Sequence, residues 1–196
     1  MPDRAETDLN QRIATRLRDL RAQHELTLEA LAERSGVSRS MISVIERGES
    51  SPTAILLERL AGALNVPLAA LFDAPDSNGN PVARRADQLQ WRDPASGYVR
   101  RNVSPSTSQS PIQIVEIEFP ARARVAFDSG ARDTQVHQQV WVLEGNLEVT
   151  VGDERHQLRT GDCLAFVLDR PVVFSNTTRS AARYALVIAS QPTRGR

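Results

Sequence analysis

The stretch from Gly36 to Gly48, Gly-Val-Ser-Arg-Ser-Met-Ile-Ser-Val-Ile-Glu-Arg-Gly, restricts the fold more than any other part of the chain. Ser38 is placed to accept a hydrogen bond from an otherwise orphaned amide of a first helical turn, and Gly48 to take the left-handed conformation that ends a helix. Between them Val37, Ile42 and Ile45 fall on one side at helical spacing, and Arg39, Ser40, Ser43 and Arg47 fall on the others. So short a helix must rest its apolar side on a support. Leu28, Leu31 and Ala32 form the inner stripe of a preceding helix that starts near Thr27, and Ser35-Gly36-Val37 leaves room only for a tight turn between the two.

Two short helices joined in this way make a helix-turn-helix, an arrangement that lays its second helix in the DNA major groove. The run Leu28-Glu-Ala-Leu-Ala-Glu-Arg-Ser-Gly-Val-Ser-Arg-Ser-Met-Ile-Ser-Val-Ile-Glu-Arg-Gly48, followed by Ser51-Pro52-Thr53, Leu57, Leu60, Ala61, Leu64 and Val66-Pro67, resembles the XRE family of phage-repressor-like helix-turn-helix domains. The resemblance covers residues from about 10 to 72. It implies a five-helix domain over 8–73 that binds double-stranded DNA sequence-specifically, at a roughly two-fold symmetric operator if the protein is a homodimer.

The first helix is expected from Asp8 to Gln23, with Leu9, Ile13, Leu17 and Leu20 inward and Arg12, Arg16 and Arg18 outward. Ser51 reads as the cap and Pro52 as the first residue of the fourth, and Pro67 opens a last short helix through Leu71-Phe72. The resemblance pairs Arg21 with Glu46; without it, the two are solvated charges. Ser38, Arg39, Ser40 and Ser43 are expected to face base edges and nearby phosphates, with Thr27 and Arg47 anchoring the backbone. Thr27 and Ser38 also serve as helix caps, and plain solvent exposure is the other reading of Ser40 and Ser43. Arg39 is the long donor at the start of the helix, and its planar fork matches O6 and N7 of guanine.

Charge bears on how DNA would be held. The 24 basic residues are all arginine and are balanced by 24 acids. Phosphates must then be met by a local arginine patch and helix N-termini, not by bulk charge, which counts against indiscriminate nucleic-acid binding. Cys163 is the single cysteine, which excludes an internal disulfide and a multi-cysteine zinc site, and it reads as a buried inert thiol. No apolar run approaches the roughly 20 residues needed to span a bilayer, and no apolar core precedes a cleavage site at the N-terminus. A cytoplasmic protein with no membrane partner is expected.

After Asp73 the turn formers of 74–81 make a linker, and helical spacing gives way to short apolar stretches: Ile112 to Phe119, Gln139 to Leu143, Leu147 to Val151, Leu164 to Val167, Val172 to Phe174 and Tyr184 to Ile188. Strands this short, interrupted by Gly, Pro, Asn and Asp, suggest an antiparallel sandwich or barrel over 82–190. Ser104 to Pro111 reads as a loop between strands. Val142-Leu-Glu-Gly-Asn-Leu-Glu-Val149, with Gly161-Asp162-Cys163 through Pro171 to Asn176, resembles the two motifs of the cupin family and the rhythm of its hairpin turns. The fold class is then α plus all-β in two domains, the second a double-stranded β-helix or jelly-roll-like barrel.

Many cupins are metalloenzymes whose first motif carries two histidines and a glutamate, and whose second carries a histidine. The resemblance sets Arg132, Thr134 and Gln138 at the first three positions and Val172 at the fourth, which is no divalent-metal donor set. No metal or other cofactor is expected. Arg132, Thr134 and Gln138 would instead form the polar end of a cavity in which an arginine could meet a carboxylate of a small-molecule effector. The other reading leaves Arg132 on the solvent side of a loop. If Gln138, Val140 and Val142 point inward, then His137, Gln139, Trp141 and Leu143 point outward, and Trp141 suits a barrel–barrel interface. His24 and His156 read as surface residues.

XRE domains joined to cupins form a recurrent class of bacterial transcription factors whose barrel senses a small molecule or assists dimerisation. The resemblance therefore implies a homodimeric DNA-binding regulator with no catalytic residues. Two other classes stand beside it: a cupin enzyme carrying a regulatory domain, which the missing ligands oppose, and an antitoxin-like interaction module with an autoregulatory helix-turn-helix.

Overall fold

The change of period after residue 73 separates two kinds of secondary structure in the computed structural model of the protein, which describes residues 4–72, 80–105, 110–128 and 134–192. The chain divides into two compact units, Met1–Asn78 and Gly79–Arg196. Most of the expected linker, like Arg132, lies outside the described residues.

In the first unit, α1 (Arg4–Gln23) supplies the inner stripe Leu9, Ile13, Leu17 and Leu20, all buried. Next come α2 (Leu28–Ser35), α3 (Arg39–Glu46) and α4 (Ala54–Ala63). Thr27 caps α2 by accepting from Ala30 N at 3.1 Å, and Gly36 ends that helix at φ 65° with its N–H on Ala32 O. The turn is closed from within, because Ser35 Oγ donates to Leu31 O at 2.7 Å and accepts from Val37 N at 3.2 Å. Ser38 caps α3 through Met41 N.

Two expectations need correction here. Thr53 caps α4, with Oγ1 accepting from Leu56 N, whereas the Ser51 hydroxyl reaches Asn10 Oδ1 at 3.3 Å. Pro52 thus precedes the cap and does not open the helix. Nor are there five α-helices among the described residues, which form four. The last segment, Leu68–Phe72, is a 3-10 helix, in which Ala70 N reaches back three residues to Pro67 O at 2.9 Å. Five residues between a proline and the end of the domain are too few for an α-helical ladder.

Among the described residues, the second unit has a short 3-10 turn at Arg85–Asp87 and then ten antiparallel strands in two sheets. The first sheet runs in the order β1 (Gln90–Arg92), β2 (Val99–Asn102), β3 (Ile112–Phe119), β10 (Ala182–Pro192), β5 (Thr134–Glu144), β8 (Cys163–Val167). The second runs β4 (Arg124–Phe127), β9 (Val172–Ser175), β6 (Asn146–Val151), β7 (Glu154–Arg159). The sheets face each other through alternate residues. Val136, Val140, Val142, Ile117, Leu186 and Ile188 from the first meet Val125, Leu147, Val149, Val172 and Phe174 from the second in a common core. An aromatic chain crosses that core: Trp91, Tyr98, Phe119, Tyr184 and Phe174 follow one another with ring centroids 5.8 to 6.3 Å apart, and the last two are stacked at 3°.

The expected closed barrel is not formed among the described residues, since no pairing joins β8 to β7 or β1 to β4. Gly145 and Gly161 also depart from expectation. Each was expected in a hairpin, yet β5 and β6 lie in different sheets, as do β7 and β8. The two glycines turn the chain from one sheet to the other at φ 82° and 94°. Gly152, at φ 58°, opens the hairpin between β6 and β7.

Candidate nucleic-acid interface

The geometry of α3 is fixed from behind before its exposed face matters. Ile42 and Ile45 are buried beneath it, and Glu46 is only 5% exposed. Arg21 of α1 meets that carboxylate side-on, Nε to Oε1 at 2.7 Å and Nη2 to Oε2 at 2.9 Å, while its Nη1 donates to Leu26 O at 2.9 Å. The hydrogen bonds to Glu46 raise the Arg21 pKa still further. One guanidinium therefore ties three elements together, a geometry suited to arginine's planar fork.

Arg16 and Arg18 are not merely outward-facing solvated charges: Arg16 Nε donates to Ala70 O at 3.1 Å and Arg18 Nη2 to Glu46 O. That second bond satisfies one of the last carbonyls of α3, which no intrahelical donor reaches.

On the opposite side α3 exposes Arg39, Ser40, Met41 and Arg47, with Ser43 half-buried. Ser38 Oγ and Ser40 Oγ lie 3.2 Å apart, so the cap and the first serine share a hydrogen bond. Ser43 is also engaged, its hydroxyl accepting from Arg47 Nη1. Arg47 in turn grips Glu49, Nε to Oε1 at 2.8 Å and Nη2 to Oε2 at 2.7 Å. This contact holds the Glu49 carboxyl below its ordinary range. Arg39 Nε lies 2.7 Å from Oε1 of Glu29 in the first turn of α2. Glu29, Met41 and Glu49 belong to this surface and were not singled out from sequence; helical spacing shows which residues of one helix share a face, not which acid of a neighbouring element meets them.

A model of the Helix-turn-helix family matches residues 17–71, which hold α2, α3 and the Arg21–Glu46 pair. The chain is 30% identical to the HTH-type transcriptional regulator SutR of Escherichia coli over 164 residues, 84% of this chain and 86% of that protein. The chain belongs to the helix-turn-helix transcriptional regulators. This regulator is also 27% identical to the HTH-type transcriptional regulator PuuR of Escherichia coli over 182 residues, 91% of this chain and 94% of that one. In structure it is similar to an HTH_3 family transcriptional regulator from Vibrio cholerae, with a TM-score of 0.77, 26% identity, and coverage of 94% of this chain and 98% of that one. The similarity extends well beyond the DNA-binding segment, through the β unit of the regulator.

Within that β unit, the residues expected at an effector site are only partly brought together. Thr134 begins β5, and Gln138 lies half-buried in the row where β5 faces Ile188 of β10 and Phe166 of β8. The fit to a cupin metal is poor on the residues themselves, because Val172 is fully buried among apolar side chains and, among the described residues, no three His, Cys, Asp or Glu groups could hold a metal ion.

A cleft of about 240 Å³ lies between the edges of β7 and β8, which are not paired with each other among the described residues, and it is lined by Val151, Glu154, His156, Leu164, Phe166 and Arg170 among others. His156 was expected on the surface. It stands opposite the buried Val149 on the inner side of its strand and is one-third exposed, with Nε2 3.8 Å from Glu154 Oε2. Cys163 departs from expectation in the other sense. It is exposed, because it starts an edge strand on the outer side, opposite Trp141.

Proposed function

We propose that this regulator binds a roughly two-fold symmetric DNA operator as a homodimer, with Arg39 reading a guanine in each half-site and Arg47 holding the backbone. One observation carries the reading: α3 is locked from behind by the Arg21–Glu46 pair, and presents Arg39, Ser40 and Arg47 together on its free side. A rigid helix with long donors at its exposed start is what direct readout requires. Thr27 and Ser38, whose hydroxyls are spent on capping, contribute helix N-termini aimed at phosphate; Ser43 supports Arg47.

The test is selection of the operator from random DNA, followed by binding of two variants to that operator and to each single-base change. Arg39→Ala should lose about 1 to 3 kcal/mol per specific contact and accept other bases at one position, whereas Arg47→Ala should weaken all sequences alike and lower the salt slope by about one. If Arg39→Ala loses affinity uniformly and keeps the wild-type preference, the arginine holds only phosphate and specificity lies in the serines, Val44 or DNA shape.

For the β unit we infer a cupin-type sandwich without a resident metal that pairs with a second copy and receives a small effector. The outer side of the larger sheet supports the pairing. Trp141 is 50%, Ile112 49% and Ile114 40% exposed there, and Ala185 and Val187 fill the rows between them. Large aromatic and aliphatic residues exposed on a sheet face are the composition of an interface core. Gln138 remains the described residue proposed for effector contact, with Thr134 and Arg132 beside it in sequence. The relatives that match along most of their length are named as regulators, which favours this reading over a catalytic one.

A further inference from the structure

Arg39 at the start of α3 and Arg47 at its C-cap are held differently by acids. Arg47 is engaged along its whole fork, with Nε and Nη2 on Glu49 and Nη1 on Ser43. Arg39 is met at its Nε, 2.7 Å from Glu29 Oε1, and both partners stay largely in solvent at 67% and 59% exposure. A pair this exposed contributes little to folding, so stability does not account for it. An acid on the side of the domain that approaches phosphates also lowers affinity for any DNA. Glu29 suits the first turn of α2, but its pair with Arg39 adds little to folding and its charge opposes bulk binding, which leaves its effect on Arg39 itself to be accounted for.

The chemistry of the guanidinium supplies that effect. Arginine has five N–H donors in a planar fork, and guanine offers O6 and N7 side by side in the major groove. A guanidinium drawn to a carboxylate at its Nε edge can still present Nη1 and Nη2 together to those two acceptors. Left free, the same long side chain swings to the nearest phosphate, which carries no sequence information. The position of Glu29 is itself set by the α2 cap, where Thr27 Oγ1 accepts from Ala30 N. We propose that Glu29 is a specificity-determining residue, whose carboxylate steers Arg39 away from phosphate and toward guanine. This rests on the reading of Arg39 as a base-contacting residue, and it assigns the selectivity to a pair of residues on two helices.

The proposal predicts two effects of opposite sign in one variant. Glu29→Gln keeps the size of the side chain and removes its charge. Full-length wild type, Glu29→Gln, Arg39→Ala and the double variant would be titrated with three duplexes: the operator selected with wild type, the same operator with its half-site guanines replaced by adenine, and an unrelated sequence. Glu29→Gln should bind the unrelated duplex about two- to fivefold more tightly while its preference for guanine over adenine falls by about two- to fivefold, the scale of an exposed ion pair. In the Arg39→Ala background the same change should still tighten unrelated binding but leave base preference untouched.

Equal tightening on all three duplexes, with the preference intact, would overturn the proposal and leave Glu29 as simple repulsion. A preference lost to the same degree in the presence and absence of Arg39 would overturn it too. If wild type selects no guanine in its half-site, the reading of Arg39 fails and this inference with it; if the guanine is selected and Glu29→Gln leaves it unaltered, only this inference fails.

Discussion

Arg21 is the residue whose loss should be felt furthest from its own position. Its partner Glu46 is buried, and removing one member of such a pair strands the other. We expect Arg21→Ala to cost the helical unit about 3 to 5 kcal/mol, read from urea unfolding by circular dichroism at 222 nm. Arg21→Met with Glu46→Leu should cost clearly less, since no charge is then left buried. Tyr184 gives a prediction in pH. Burial, and the neighbouring Tyr98, push its phenol well above the ordinary value, with Arg100 acting in the other direction. Below about pH 10 the phenol is protonated folded or unfolded and stability is unaffected; above it the unfolded chain ionises first, so stability falls as pH rises. Tyr184→Phe should lessen that alkaline loss. It is followed by tryptophan fluorescence, since Trp91 and Trp141 both lie in the β unit. At this scale the sequence was legible where a family pattern or a strict alternation applied, as for Arg21–Glu46 and for Val140, Trp141 and Val142. It misled at Cys163, because a side chain's environment depends on which strand lies beside it, and β8 is a sheet edge.

Among elements, those with enough buried residues to show a period were readable, and those defined by a partner were not. The four α-helices follow from their stripes, although α1 starts at Arg4 and not at the expected Asp8 and α4 is capped by Thr53 and not Ser51, and β3 has the bounds its apolar run suggests. β7, Glu-Arg-His-Gln-Leu-Arg, has a single buried residue, Leu158, and exists because the turn at Gly152 returns it along β6. The same dependence hid β1, β2 and β4, and it made the turns at Gly145 and Gly161 look like hairpins. These two glycines can be separated by experiment. Alanine at Gly161 would meet nothing within 4 Å, so Gly161→Ala should cost only the left-handed backbone, about 1 to 2 kcal/mol. At Gly145 the added carbon would lie 2.9 Å from Ala181 O and 3.2 Å from Ala182 Cα, both backbone atoms that cannot swing aside. Gly145→Ala should therefore be the more damaging of the two in fluorescence-monitored urea unfolding; equal costs would mean that the corner is not packed as described.

For the whole molecule, assembly decides whether two α3 helices can meet two half-sites one helical turn apart. The Trp141 face is proposed for that role, so Trp141→Arg should shift sedimentation velocity toward the monomer and weaken operator binding, with base preference unchanged. An intact dimer would remove the face from consideration. Protein purified without added metal should carry clearly less than one equivalent of zinc, iron, nickel or manganese by elemental analysis, in keeping with Val172 where a cupin would offer a histidine. The exposed thiol opposite Trp141 has a use in the same question. Cys163 is the only sulfhydryl in the chain, so an alkylating reagent labels one known place. If two copies cover that face, the labelling rate falls as protein concentration rises and recovers in Trp141→Arg, which would make the rate a measure of association in unmodified protein.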